Sequence, residues 1–218
     1  MKKESQKIRI GVIDYDMGNI MSVFNALNYL GYENLELVNS PKQIAESEIL
    51  ILPGVGAFSD AMDNLREREL IEPLNKHVVE KKPIIGICLG MQLFFEYSYE
   101  GKGSKGLGWF PGEVKRLELK DEYRVPHMGW DNIKVSETCN LFEDIKNDDD
   151  FYFVHSYHAD CDPKFVIAEC QYGISITAAI EKENLIAFQF HPEKSHLNGL
   201  KLLNNSIQKL WSNSNAQE

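Results

Sequence analysis

No apolar run in the sequence is long enough to cross a bilayer. The longest, residues 84–95, is interrupted by Gly86 and Gly90 and falls short of the ~20 residues that a spanning helix requires. No apolar stretch follows the charged first residues, 1–7, so they do not read as a secretion signal. Cysteine is scarce: Cys88, Cys139, Cys161 and Cys170 include no C-x-x-C pair. With neither a secretion signal nor a spanning run, a cytoplasmic protein is expected, and in that reducing compartment the cysteines should be free thiols. His155, His158, Cys161 and Cys170 lack the paired spacing of common zinc sites, and no metal is expected. Positive charge is short too, with 23 Lys and Arg against 33 Asp and Glu and a net charge of −10. This argues against a nucleic-acid or anionic membrane surface and for a small substrate or a protein partner. Internal repeats, low-complexity tracts and linkers are absent, and 218 residues suffice for one domain with a sizeable core.

What is present is an alternation of strand and helix signals, the pattern of an α/β fold with a mostly parallel sheet. Strands are expected at residues 7–14, 35–38, 48–52 and up to Ile87. A helix over 20–30 should end at Gly31, and Ser40-Pro41 should open a brief one. Residues 59–82 read as helical, in two pieces because Pro73 interrupts them. His77 would lie on the solvated face of that helix. After Gly101 short β-like runs follow at 113–119, 132–135, 151–157, 165–170, 175–181 and 185–190. They suggest an antiparallel extension of the central sheet in the C-terminal half. A short helix is expected at 140–145, and a final one from a Ser195 cap to about Trp211.

The chemistry centres on residues 83–97. Gly86-Ile87-Cys88-Leu89-Gly90 has the spacing of a nucleophile elbow with Cys in place of Ser. Its glycines would permit a strained strand-to-helix turn that presents Cys88 above the sheet end. The helix N-terminus there favours a thiolate, the reactive form of cysteine. The alternative is one more buried strand cysteine.

A cysteine nucleophile needs a base, and the base needs an orienting group. His191 stands where the strand 185–190 ends, the place where α/β folds put their chemistry. Pro192 follows, and Glu193 could turn back to fix the imidazole tautomer. The competing possibilities are an exposed His-Pro-Glu turn, or another histidine as the base, His155 first among them. An acyl-transfer site also needs donors for the oxyanion. The N–H of Leu89 is one by elbow geometry. Val55 is the other, because Pro53-Gly54-Val55-Gly56 can aim its amides inward at little steric cost.

Gly86-Ile87-Cys88-Leu89-Gly90-Met91-Gln92 with His191-Pro192-Glu193-Lys194-Ser195 resembles the class I, triad-type glutamine amidotransferases. Leu52 to Phe58, Val125-Pro126-His127-Met128-Gly129-Trp130 and Tyr152 to Tyr157 narrow the resemblance to the glutaminase subunits of imidazole glycerol phosphate synthase. It covers essentially the whole chain, so residues 1–218 are expected to form a single amidotransferase domain. The resemblance implies a Cys88–His191–Glu193 triad that hydrolyses glutamine without a cofactor. Gly54, Gly56, Gln92, His155, Ser156 and Tyr157 would hold the substrate. A separate (β/α)₈ cyclase subunit would form a heterodimer with the chain and use the ammonia. Tyr15, Asn19, His127, Trp130, Tyr152 and Lys194 would lie at or near that interface, although Trp130 and Tyr152 are equally plausible as core residues.

Two positions depart from the family pattern: Asp16, where Gly is usual, and Asp131, where Asn is usual. They keep two rivals in view. One is a paralogous glutaminase feeding another synthase, such as a surface-sugar amidotransferase. The other is a partner-free cysteine hydrolase of similar fold.

Overall fold

The computed structural model describes residues 7–136, 139–143, 145 and 149–215. The chain begins with strand β1 (Ile10–Ile13), helix α1 (Ile20–Tyr29), β2 (Leu35–Val38), α2 (Pro41–Glu46) and β3 (Ile49–Gly54). Helices α3 (Phe58–Glu67) and α4 (Ile71–Val79) lead to β4 (Ile84–Cys88) and α5 (Leu89–Leu93). Next come β5 (Phe95–Ser98), β6 (Ser104–Lys105), β7 (Phe110–Arg116), β8 (His127–Asn132) and β9 (Lys134–Val135). The last strands are β10 (Asp150–His155), β11 (Tyr157–Cys161), β12 (Val166–Tyr172), β13 (Ile174–Lys182) and β14 (Leu185–Phe188), before helix α6 (His196–Asn215).

The central sheet has the order β2-β1-β3-β4-β14-β13-β12-β9. Pairing is parallel from β2 across to β14 and antiparallel from β14 outward, as the sequence pattern suggested. The reason lies in residue alternation. Ile10, Val12, Ile49, Ile51, Ile85 and Ile87 face one side, packed with Val23 and Leu27 of α1 and Leu203 and Ile207 of α6. Ile13, Leu50, Leu52 and Ile84 face the other, against Phe58, Met62 and Leu65 of α3 and Leu74 of α4. Each such side chain contributes about 1.5–3 kcal/mol when fully buried, so the doubly covered sheet is stiff. Its β3 and β4 ends therefore make a fixed platform for chemistry. A second sheet, β11-β7-β5-β6, and the ribbon β8–β10 roof that platform.

Several expectations need correction. Strand β3 runs on through Pro53 and Gly54 instead of stopping at Leu52. Pro73 does not break the helical stretch: it sits in the first turn of α4, where its missing N–H has no partner to lose. The break falls earlier, at Glu69, whose φ is +56°. The elbow helix α5 ends at Leu93, because the aromatic run after it pairs as β5. Residues 151–157 divide at Ser156 into β10 and β11, and β8 was missed because His-Met-Gly-Trp lacks a strand signature. Residues 140–142 form one tight turn, and residue 144 of the expected helix lies outside the described residues. His77 is buried, not solvated. Its Nε2 lies 3.3 Å from the Pro83 carbonyl, and burial lowers its pKa to about 4.

Asp16 has a conformational explanation. Its φ is +63°, a region that glycine enters freely and that Asp tolerates better than most residues. The carboxylate pairs with Arg68 across the surface.

Candidate active site

Cys88 is the last residue of β4 and the residue before α5, with φ +54° and ψ −108°. The strain of the elbow thus falls on the cysteine itself, at a cost of roughly 1–3 kcal/mol. The flanking glycines serve a different purpose from the one expected, namely close approach. A Cβ on Gly90 would sit 1.8 Å from the Leu52 carbonyl oxygen, and one on Gly86 2.9 Å from the Phe94 ring. Without those methyls α5 settles directly onto β3 and β4. The Cys88 sulfur is then held by two weak interactions: Sγ to the Val154 carbonyl at 3.9 Å, and the Gln189 Nε2 donating to Sγ at 3.8 Å.

His191 follows β14, the parallel neighbour of β4. The tight turn Pro192–Lys194 folds Glu193 back so that Nδ1–H of His191 donates to its Oε1 at 2.8 Å. Both side chains are 2% exposed, so solvent does not weaken the pair. Ser195 braces the turn. Its hydroxyl donates to the His191 carbonyl at 2.6 Å and accepts from the Tyr152 N–H at 3.0 Å. The other ring nitrogen, Nε2, has no hydrogen-bond partner among the described residues. Burial opposes a charge on this ring, but the nearby Cys88 sulfur and the Glu193 carboxylate outweigh it, and the His191 pKa is raised to about 10.

His155 is disfavoured as the base by its own hydrogen bonds. Nδ1 donates to the Tyr157 carbonyl at 2.9 Å, and Nε2 lies 3.0 Å from Nδ1 of His127. Burial drives its pKa down to about 3. Both nitrogens are committed to partners other than Cys88, which favours His191 over His155 as the base.

A cavity of about 310 Å³ opens over Cys88. Of the expected substrate and oxyanion residues, Val55, Gly56, Leu89, Gln92, His155, Ser156 and Tyr157 line it. Gly54 does not. It lies beneath the floor, where a Cβ would meet the Tyr15 hydroxyl at 2.5 Å. Gln92 is buried and spends both amide hydrogens inside the protein, on Tyr157 O at 2.8 Å and Gln189 Oε1 at 3.0 Å. That leaves its Oε1 as the group it can offer to a ligand. Sequence reasoning missed Glu100, which lines the cavity and accepts from the Phe58 N–H at the start of α3. It also missed Gln189, which joins Gln92 to Cys88. A polar residue directly after the apolar β14 was the available signal.

The expected interface residues divide into two groups. Tyr15 is wholly buried and donates to the Pro53 carbonyl, and His127 is buried beside His155 of β10; neither reaches the surface of the chain. Asn19 is exposed and caps α1 through Ser22. Trp130 is 42% exposed, stacks on His196 at 4.6 Å and meets Tyr152 edge-on at 5.7 Å. Lys194 lies over the Tyr152 ring at 5.9 Å. Trp130 is therefore not a core residue.

His158, Cys161 and Cys170 do not form a metal cluster with His155. Among the described residues, His127, Asp131 and Cys170 come within 4.8 Å of one another. There, however, Nε2 of His127 is already satisfied by Asp131 at 2.8 Å, as a hydrogen bond and not as a ligand pair.

A cysteine on a strained strand end that lines a roofed cavity, and a buried His–Glu pair just beyond the adjacent strand, are the arrangement of a class I glutamine amidotransferase. The model of the family "Glutamine amidotransferase class-I" matches residues 11–210, and the chain belongs to that family. Its curated relatives place it further, with the HisH subunits of imidazole glycerol phosphate synthase. The Vibrio vulnificus subunit HisH 2 is 46% identical, covering 93% of this chain and 98% of its own length. The Methanocaldococcus jannaschii HisH is 43% identical over 92% of this chain and its full length. Among solved structures, a glutamine amidotransferase crystal structure superposes with TM-score 0.72 at 20% identity, covering 94% of this chain and 99% of that one. PurLQS from Thermotoga maritima superposes with 0.71 at 19% identity, covering 94% and 99%. These two likenesses establish the shared fold.

Proposed function

We propose that the chain is the glutaminase subunit of an imidazole glycerol phosphate synthase, with residues 1–218 acting as one amidotransferase domain in the cytoplasm. The observation that carries the reading is a Glu193-oriented His191 close enough to Cys88 for the sulfur to raise its pKa, with Cys88 lining the cavity. The Cys88 thiolate adds to the side-chain carboxamide carbon of glutamine. The N–H groups of Leu89 and Val55 receive the oxyanion. His191 gives its Nε2 proton to the leaving nitrogen, the C–N bond breaks, and ammonia departs from a glutamyl thioester. His191 then takes a proton from water, hydroxide adds to the thioester, and the C–S bond breaks to release glutamate and restore the thiolate. The free Oε1 of Gln92 suits the substrate's α-ammonium group, from which it would accept a hydrogen bond.

The ammonia passes to a separate (β/α)₈ cyclase subunit. The surface we assign to that interface comprises the exposed Trp130 and Asn19 and the half-buried Tyr152 and Lys194. Asp16 and Asp131, the two departures from the family pattern, both have partners within the chain, so neither calls for a different synthase. Mixing the chain with the cyclase subunit and assaying glutamine-dependent imidazole glycerol phosphate formation tests the reading. Ammonia-dependent product with no glutamine-dependent product would refute it.

The oxyanion segment makes the partner's presence consequential. Val55 is 39% exposed, and the peptide that carries its N–H is joined to Gly54, so that peptide can turn at little steric cost. Loss of one oxyanion donor lowers turnover by about 10²–10³. Glutamine turnover by the isolated chain should therefore fall below that of the complex with cyclase and its substrate analogue by at least that factor. Equal rates would mean that the Val55 N–H is fixed inward.

A further inference from the structure

We propose that Asp131 and His127 are positioning residues that hold one proton between them and through it fix His155 in the glutamine cavity. The inference rests on the glutaminase reading only for what the cavity binds.

The argument is a count of hydrogens along a line of three hydrogen bonds. Asp131 Oδ2 lies 2.8 Å from His127 Nε2, His127 Nδ1 lies 3.0 Å from His155 Nε2, and His155 Nδ1 lies 2.9 Å from the Tyr157 carbonyl. A carbonyl can only accept, so His155 carries its hydrogen on Nδ1. Burial keeps His155 neutral, and its Nε2 must then accept from Nδ1–H of His127. A neutral His127 would have no hydrogen left on Nε2, and an ionised carboxylate has none to give. Closing all three bonds therefore needs one proton more than two neutral imidazoles supply. It resides on the Asp131–His127 pair, as imidazolium against carboxylate or as carboxylic acid against imidazole.

The surroundings suit such a pair. The His127 ring is stacked between Tyr172 at 4.0 Å and Phe153 at 4.8 Å, which prevents it from swinging away. Cys170 approaches from β12 beside Tyr172. On the β10 side stands His155, with His158 and His191 near enough to act on it electrostatically. Asp131 is the charged neighbour of His127: burial lowers the His127 pKa, and the hydrogen bond that Asp131 accepts from the ring opposes that. Asp131 is 37% exposed, so the outer end of the line is open to solvent while the inner end lines the cavity. As pH rises the proton leaves, the remaining His127 hydrogen stays on the Asp131 side, and His155 is left with only its bond to the Tyr157 carbonyl. Asparagine at 131 would remove this dependence, since its amide N–H can donate to a bare Nε2 and close all three bonds with neutral rings.

The test uses wild type and Asp131→Asn as full chains with ¹⁵N-labelled histidine, followed from mildly acidic to mildly alkaline pH. KM for glutamine is measured in parallel on the complex with the cyclase subunit. In wild type His127 should carry two ring protons at the acidic end and lose one on titration, with the His155 signals moving alongside. KM should rise about two- to tenfold over the same interval, the worth of one hydrogen bond. In Asp131→Asn both rings should stay neutral and KM should remain at the low value throughout. An unchanged His127 titration in Asp131→Asn, or superimposable KM profiles, would overturn the inference. Absence of glutaminase activity in the complex would instead overturn the functional reading, and the ring-nitrogen signals would still decide the proton.

Discussion

Cys88→Ala is expected to lower glutamine hydrolysis by the complex on the order of a million-fold, while ammonium salts still support the partner's reaction. The size of the loss follows from what the residue does. With no sulfur above the sheet end, water would have to attack an amide directly, and only binding and oxyanion stabilisation would remain to help it. Ammonia use survives because nothing in that step involves the thiol. Folding should survive as well. Alanine fits the small volume under the roof, and the hydrogen bonds of the sulfur that it removes are long, with Gln189 at 3.8 Å and the Val154 carbonyl at 3.9 Å; the loss of the sulfur's electrostatic support lowers the His191 pKa. The substitution leaves the positive φ at 88 in place, so a modest change in stability is the expected side effect. Steady-state glutaminase rates and ammonia-dependent rates on the same preparation check the prediction. Glutaminase activity within tenfold of wild type would remove Cys88 from the chemistry.

His191→Ala should cost nearly as much, because nucleophile and base act as a unit. Glu193→Gln should cost less, on the order of 10²–10⁴, since the carboxylate only orients the ring and stabilises its charged form. The pH profile separates these roles. The His191 pKa is raised from 6.5 to about 10 against the effect of burial, by the Cys88 sulfur first and then by Glu193. A raised folded value means that the imidazolium's stabilising contribution is complete below about 6.5 and is lost as pH climbs through about 10. Removing the Glu193 charge takes away part of that support. The alkaline limb of glutaminase activity in Glu193→Gln should thus move to lower pH, and its thermal stability should begin to fall at lower pH than that of wild type. An alkaline limb at the wild-type position would show that Glu193 fixes the ring without stabilising its charge.

The proposed triad could be read from the sequence because Cys88 and His191 stand at or just after strands whose apolar runs announce themselves, and Glu193 lies two residues beyond His191. Ile84 to Ile87 points to Cys88, and Leu185 to Phe188 points to His191. The local geometry was less legible. The spacing of the elbow glycines suggests backbone freedom and only hints at α5 lying against the Leu52 carbonyl. That close approach joins residues far apart in the chain. Tyr15 and His127 look outward in the sequence because they occupy motifs next to exposed residues. Strand alternation carries His127 inward while Met128 and Trp130, its neighbours on β8, stay exposed. Recognising β8 as a strand would have settled this, but Gly129 and the mixed polarity of the segment hide its period. The Gln92–Gln189–Cys88 connection could not be read at all. Its hydrogen bonds depend on β14 lying beside β4, a fact of topology rather than of local pattern.

The central claim is that this chain cuts glutamine through a thioester on one particular cysteine. Rapid acid quench of the complex during turnover, followed by protease digestion and mass spectrometry, tests it directly. The account predicts a glutamyl adduct on the peptide that contains Cys88, and none on those that contain Cys139, Cys161 or Cys170. An adduct on another cysteine, or steady glutamate release with no adduct on any, would contradict it.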